Sequence, residues 1–433
     1  MPAGWLANRN ALLCVSCGAL VLLGHLRWRQ RGLWRDLGAA LLALALGLLA
    51  GEATLGILAY VAAWELTQPA PRWARKLMAL LPYGIIVVAW RLLYDGLGYG
   101  TYGSQLYLDP VHQPWSYLGA LIERWPLLFF AQWSQAPVDL WLFLTRDQQL
   151  ALLAMVVPAS AAVTAFLWPA WRHDRLVRFW LIGMALSLVP LCAAFPMDRL
   201  LIFAGIGGFG ALATIAISAT APGHGEGRVA VGAWRTTVAR VLLALHLPIA
   251  AGLLLIRTAG LPVLGTVVSQ GARESPADDA VSDQLFVFVN GFDFAVGYTW
   301  ILRSREGSGP APDSVTRLAS MATDNAVSRE DERTLVIAPT DGFISAAIDG
   351  LLLNPDRAFH PGEVITRTDF QAEIRAATSD GRPTVVAFRF HLPLEDSRYR
   401  FLFWENGRIT ELPLPAVGQQ ILIRRSLPSW SES

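Results

Sequence analysis

Along residues 1–256 apolar residues run in long, nearly uncharged windows, whereas along residues 284–433 they come in short, alternating stretches. The long windows are Ala11–Leu26, Leu37–Leu66, Leu77–Tyr94, Leu150–Trp171, Leu176–Phe195, Leu200–Thr220 and Val238–Ile256. All but Leu37–Leu66 are near the ~20 residues that a helix needs to cross ~30 Å of hydrocarbon. Trp125–Leu144 is weaker and reads as amphipathic or interfacial. Leu37–Leu66 is too long for one upright span, about 45 Å as a helix, and Gly51-Glu52 interrupts it. Two short helices meeting at Glu52 are expected.

The basic residues support that division. Arg27, Arg29, Arg31 and Arg35 precede the window and Arg72, Arg75 and Lys76 follow it. Two crossings put both clusters on the cytoplasmic side, and further counting puts Arg172, Arg175 and Arg178, then Arg228, Arg235 and Arg240, there too. The expected fold class is an α-helical polytopic membrane domain of about eight segments followed by a β-rich α+β soluble domain. The N-terminus, the segment Asp95–Gln149, the Phe195–Arg199 turn and the whole C-terminal part then lie outside. A signal peptide is disfavoured for the first window, because one Arg precedes it, four follow it, and no small-x-small cleavage site is present.

The domain boundaries expected are 1–258 for the transmembrane part, 259–283 for a linker rich in Ala, Ser, Asp and Gly, and 284–433 for the soluble part. In the last, Leu285–Val289, Thr334–Ala338, Phe370–Thr378, Thr384–His391, Tyr399–Trp404 and Gln420–Arg424 read as strands, and Phe292–Arg303 as a helix. Asp380-Gly381 and Asn406-Gly407 are expected to make type I′ hairpin turns.

Composition sharpens this picture. The chain is 54% hydrophobic and only 16% charged, with mean hydropathy +0.40. Its formal charge of +1 hides an asymmetry: residues 1–270 hold 19 Arg/Lys against 11 Asp/Glu, and residues 271–433 hold 16 against 23. Basic residues fall in short clusters between apolar runs, which disfavours a nucleic-acid partner. Cys14, Cys17 and Cys192 all sit inside apolar runs and are expected to pack. His360, His391 and the acids Glu330-Asp331-Glu332 and Glu395-Asp396 lack metal-ligand spacing on one element, so no metal or cofactor is expected.

Charge in hydrocarbon is costly, so ionisable residues in or at the spans are the functional candidates. Glu52 sits at the expected helix junction, where a carboxylate can cap amides or face a cavity. Arg91 lies near the outer end of its span, and Asp198-Arg199 opens another from the same side. An Arg fork matches phosphate oxygens, so a lipid-phosphate site is the reading these residues suggest. In the long outer segment, Tyr, Trp, Pro and Gly cluster around Asp109 and His112, a setting suited to a sugar or lipid groove as well as to interfacial anchoring.

With these segments placed, residues 1–220 resemble the GT-C membrane glycosyltransferases, near the protein O-mannosyltransferase-like and tetratricopeptide-linked bacterial members. The likeness is carried by the Trp5-Leu-Ala-Asn-Arg9 segment before a span, by the interrupted run LLALALGLLAGEATLGILAYVAAWEL and by FPMDRLLIFAGIGGFGALA. Gly51 stands where that group has the Lys of a Lys-Glu pair, and Leu200-Leu201-Ile202-Phe203 replaces its aromatic run after the Arg. The resemblance implies inverting sugar transfer from a polyprenyl-phosphate donor, with a general base activating an acceptor hydroxyl. It places Arg9, Glu52 and Arg199 at the lipid-phosphate site. That group's catalytic carboxylate lies in a first outer loop with no counterpart in this sequence, so the expectation is a relative lacking the N-terminal catalytic segment, or a non-catalytic one. The expected location is the bacterial inner membrane with a periplasmic C-terminal domain, and the expected partner a membrane lipid such as a polyprenyl-phosphate sugar. The alternative is a non-enzymatic scaffold or envelope-assembly protein whose periplasmic domain binds a partner.

Overall fold

The computed structural model describes residues 9–69, 73–100, 107–220, 233–256, 258, 275–291, 293–307, 309–344, 353, 357–405 and 408–425. The chain divides into two compact units, residues 1–254 and 255–433.

The first unit is helical. Its helices are α1 (Arg9–Arg31), α2 (Trp34–Ala50), α3 (Leu55–Thr67), α4 (Trp73–Gly96), α5 (Pro114–Ser134), α6 (Arg146–His173), α7 (Arg175–Leu191), α8 (Ile202–Thr220) and α9 (Ala233–Ala244). A π turn, Leu245–Ile249, extends α9. Five helical stretches are long and apolar enough to cross a membrane: Arg9–Arg31, Trp73–Gly96, Arg146–His173, Asp198–Ile217 and Ala239–Ile256. The helices α2, α3 and α7, of 17, 13 and 17 residues, are shorter than that measure. At 1.5 Å per residue α3 is only about 20 Å long.

The break at Gly51 reverses the chain. Cys14 and Cys17 of α1 lie against Gly47 near the end of α2, while Gly24 lies against Asp36 and Ala40 near its start, so α1 and α2 are antiparallel. Gly18 faces Ile57, and His25 and Arg29 reach Glu65, so α3 runs parallel to α1. Helix α3 therefore returns along the direction from which α2 came. The turn is the 3-10 segment Glu52–Thr54, closed by the Thr54 N–H donating to the Gly51 carbonyl. The Cys14 thiol donates to the Gly47 and Gly51 carbonyls, and all three cysteines are unbridged.

Small residues let the central helices approach closely, the packing device of apolar surroundings where no hydrophobic force separates helix from lipid. Tyr60 of α3 is fully buried. Its hydroxyl donates to the Phe203 carbonyl at 2.6 Å and accepts from the Gly207 N–H at 2.7 Å. A Cβ on Gly183 of α7 would stand 2.3 Å from the Tyr60 ring, and one on Gly207 of α8 2.4 Å from the Trp180 carbonyl oxygen. The sequence Gly205-Ile-Gly-Gly-Phe-Gly210 is thus a contact face.

The segment 95–149 differs from the long loop expected of it: most of it is helical. Pro114 opens α5 as an N-terminal helix residue, and Pro126 sits inside it, interruptions that obscure helical periodicity in the sequence. Helix α5 lies across the ends of α7 and α8. Tyr117 donates to the Val189 carbonyl, Trp125 to that of Ala185, and the Val138 N–H beyond α5 donates to Asp198. Glu123 of α5 and Arg146 of α6 form a two-point ion pair, at 2.6 and 2.9 Å.

The second unit holds two sheets and a helix, α10 (Asp293–Glu306). Its strands are β1 (Leu285–Gly291), β2 (Ser314–Ser320), β3 (Asn325–Arg329), β4 (Thr334–Pro339), β5 (Val364–Thr366), β6 (Phe370–Ala377), β7 (Pro383–Phe390), β8 (Tyr399–Glu405), β9 (Arg408–Glu411) and β10 (Gln420–Ile423). One sheet runs β2-β1-β8-β9, the other β10-β3-β4-β7-β6-β5. Strand β1 is parallel to both neighbours, and β1-α10-β2 is a crossover unit. Every residue of β1 is buried. Leu285, Val287 and Val289 pack with Leu335, Ile337 and Phe388 of the six-stranded sheet, whereas Phe286 and Phe288 pack with Trp300 of α10. This two-sided burial explains why the sequence shows an unbroken apolar run there. Arg303 of α10 is buried and donates to the Ser275, Pro276 and Pro310 carbonyls, fixing where the unit begins.

Two local expectations meet the structure differently. The Thr378–Arg382 turn is not type I′, because Gly381 has φ +79° while Asp380 is not among the described residues with positive φ. The Gly381 N–H donates to Thr378, and Arg382 pairs with Thr378 beyond it, which is a type I turn with a glycine bulge. The Asn406-Gly407 turn, residues 5–8 of the Trp5–Arg9 segment, and Arg72, Arg228 and Arg257 lie outside the described residues.

Candidate functional site

Four segments distant in sequence bring polar side chains to one end of the helical unit. Glu52 lies in the α2–α3 turn, Arg91 in the last turns of α4, Asp109 and His112 in the stretch before α5, and Arg199 in the 3-10 turn Asp198–Leu201 that leads into α8. Arg91 is the hinge of the cluster. Its Nε donates to Asp95 at 2.9 Å, one turn on, and its Nη2 to Asp109 Oδ2 at 2.5 Å. Glu52 is within electrostatic range of Arg91, Tyr94 and Tyr107, and Tyr107 within range of Arg199.

Asp109 is fully occupied. Oδ1 accepts from the Val111 N–H at 2.8 Å, and Oδ2 takes both Arg91 and His112 Nδ1, the latter at 2.9 Å. Burial pushes this carboxyl up, but the bonds from Arg91, His112 and Val111 outweigh it and hold the group down to about 2. Glu52 moves the other way. Crowding raises its carboxyl, opposed by Arg91 and Tyr94. Its side chain remains open to solvent. The capping role expected of Glu52 is not what the described residues show. Neither Gly51 nor Thr54, the residues preceding the two helical pieces, is joined by a side-chain cap, and the charge that acts on Glu52 is Arg91.

The stretch carrying Asp109 and His112 is anchored by α7. The Leu108 N–H donates to the Ala193 carbonyl at 2.8 Å, and Tyr107 bridges Ala194. Those carbonyls lie at the C-terminal end of α7, where a helix leaves its last C=O groups without intrahelical partners. Arg124 of α5 supplies the missing donor. Its Nη1 lies 3.0, 3.4 and 2.9 Å from the carbonyls of Cys192, Ala193 and Ala194. The helix end and the anchored stretch are thus held by one guanidinium. Helix α4 ends at the same place in a left-handed glycine cap. Gly98 has φ +71°, the Tyr99 N–H donates to the Tyr94 carbonyl, and the two rings touch at 5.6 Å between centroids. With Trp90 this makes a ladder of three rings beside Arg91.

Of the seven candidates expected from sequence, Glu52, Arg91, Asp109, His112 and Arg199 assemble here. Asp198 accepts from the Val138 N–H and so secures the α5 end. Arg9 opens α1 and is exposed.

A second polar assembly was missed. His25 and Glu65 are buried, at 0% and 1% exposure, and meet at 3.1 Å. Arg29 grips the same carboxylate at two points, Nε at 2.7 Å and Nη2 at 3.1 Å, and Tyr83 of α4 meets His25 Nδ1 at 3.0 Å. Glu65 was visible as a second acid in the window that holds Glu52. Nearby, Lys76 donates to the Gln68 carbonyl at 2.8 Å and caps α3. His246 links two further helices. Nε2 reaches the Gln132 carbonyl of α5 at 2.9 Å and Nδ1 the Leu242 carbonyl at 2.8 Å.

Among the described residues no group of three His, Cys, Asp or Glu is placed to hold a metal ion. Comparison with protein-family models, curated proteins and solved structures returns no match.

Proposed function

We propose that the chain is a multi-pass inner-membrane protein that binds the phosphate headgroup of a lipid-linked sugar at the polar cluster, as the resemblance to GT-C glycosyltransferases implies. The observation that carries this reading is the convergence of Glu52, Arg91, Asp109, His112 and Arg199 from four separate segments onto one end of an apolar helical unit. Arg199 is exposed there and, among the described residues, forms no ion pair, so it is the group that takes the phosphate. Arg91 is already committed to Asp95 and Asp109 and shapes the site. The ring ladder Trp90, Tyr94 and Tyr99 offers apolar faces beside it.

The reversal at Gly51 supports eight crossings, with α2 and α3 as two short ones, the cluster on the outer side and the C-terminal unit periplasmic. Thinning of the bilayer or flanking anchors can accommodate α3.

The test uses purified protein in nanodiscs offered polyprenyl phosphate and, separately, polyprenol. The phosphate should be retained, the alcohol should not, and Arg199→Ala should weaken retention about tenfold, the equivalent of ~1.4 kcal/mol. Equal retention of the two lipids overturns the reading. For orientation, phosphatase reporter fusions should be active after residue 433 and inactive after Arg31; a cytoplasmic C-terminus overturns the eight-crossing topology.

A further inference from the structure

The Asp109–His112 pair has the arrangement of an oriented base rather than of a surface ion pair. Because Asp109 is ionised and accepts only, the proton between the two residues belongs to His112 Nδ1. The neutral ring then carries its lone pair on Nε2. The His112 side chain is 56% exposed, and among the described residues no hydrogen bond to Nε2 is formed. The carboxylate is held on both oxygens: Oδ1 by Val111 and Oδ2 by Arg91 and His112. The stretch itself is tied to α7 through Leu108 and Tyr107, and Arg124 braces that end of α7. Asp109 cannot serve as base itself, since a carboxyl held near 2 has little affinity for a proton at neutral pH.

We infer that His112 is the general base of a sugar-transfer reaction at this cluster, with Asp109 orienting its ring and Arg91 fixing Asp109. This rests on the lipid-phosphate reading above and extends it from binding to catalysis. The acceptor O–H proton passes to His112 Nε2 as the acceptor oxygen bonds to the anomeric carbon of the sugar. The bond from that carbon to the phosphate oxygen breaks, its electron pair stays on the polyprenyl phosphate beside Arg199, and the imidazolium returns its proton to water. The base is thereby supplied by this chain, and from a residue type other than the carboxylate of the family it resembles.

The experiment uses the full chain in proteoliposomes with polyprenyl-phosphate mannose, glucose and galactose in parallel, and with water as the surrogate acceptor hydroxyl. Donor retention and release of free hexose are measured separately. His112→Ala should lower hexose release about 10²- to 10⁴-fold, out of proportion to any loss of retention, and added imidazole should restore part of it. That rescue would not follow from a structural role. Donors retained by the wild type without hexose release, or unchanged release by His112→Ala, overturn the inference while the binding reading stands. Loss of release in Glu52→Gln but not in His112→Ala assigns the base to Glu52 and likewise overturns it. Failure of the wild type to retain any of the three donors removes both readings.

Discussion

The imidazole of His25 and the carboxylate of Glu65, 40 positions apart, meet at 3.1 Å with almost no exposed surface on either. The contact joins α1 to α3, and Tyr83 extends it to α4. Breaking a buried charge pair by removing one partner typically costs about 3–5 kcal/mol, because the remaining group stays buried without compensation. Arg29 is 30% exposed and can recover some solvation, which favours the lower end of that range. Glu65→Gln is expected to lower the unfolding free energy of the purified protein by about 3 kcal/mol, while Glu52→Gln, at an open position, should change it by under about 1 kcal/mol. Denaturant titration in detergent micelles distinguishes the two; equal effects would mean that the buried network contributes nothing special.

Glycines in the central contact face should not tolerate a methyl group. Gly183→Ala and Gly207→Ala place Cβ at 2.3 and 2.4 Å from neighbouring atoms, and overpacking of this kind costs about 1–3 kcal/mol. Gly38 and Gly84 have nothing within 4 Å, so Ala there should be neutral or should stabilise by up to about 1 kcal/mol through helix propensity. Thermal unfolding of the four variants makes the comparison.

Arg124 should control the site without belonging to it. Arg124→Ala strips the donor from the carbonyls of residues 192–194, and the amide of Leu108, which donates to Ala193, loses its braced partner. Hydrogen exchange at Leu108 is expected to accelerate at least tenfold, with weaker polyprenyl-phosphate retention in the same variant. Arg124→Lys keeps a cationic donor and should fall between.

The Asp109 carboxyl gives a pH signature with a definite sign. Its value falls from 3.8 to about 2 on folding, so its stabilisation is complete above pH ~4 and disappears as pH falls through ~2. The amount is roughly 2 kcal/mol as an upper bound, since the side chain is 30% exposed. Stability measured from pH 5 to pH 2 should drop less steeply in Asp109→Asn than in the wild type; parallel curves would show that Arg91 and His112 do not hold the carboxyl down.

Much of this was legible from residue order alone, and the boundary of legibility is physical. Hydrocarbon-length apolar windows, the break at Gly51-Glu52 and the change to alternating strands after residue 284 follow from local transfer free energy and from side-chain period, which need no knowledge of neighbours. The same logic flagged Glu52, Arg91 and Arg199 as charged groups at apolar spans, whereas Asp109 and His112 stood out through the aromatic, Pro and Gly residues around them. Trp125–Leu144 marked only the second half of helix α5, whose pattern Pro114 and Pro126 interrupt. Strands β2, β3, β5 and β9 were not anticipated, because SVTRLAS, NAVSR, VIT and RITE carry too few apolar residues in alternation to register.

What only the tertiary structure decided is partnership. Charge in the sequence announces that a residue is expensive to bury, but not which group offsets the cost, because ion pairs and hydrogen bonds act over a few ångströms between positions that can be 40 residues apart. Glu65 and Glu52 are both acids of one apolar window; folding gave the first His25 and Arg29, and left the second facing Arg91 at an open edge. Likewise Arg124 was one arginine among 34 until α5 crossed the end of α7 and presented it to the carbonyls of Cys192, Ala193 and Ala194, the second of which also holds Leu108.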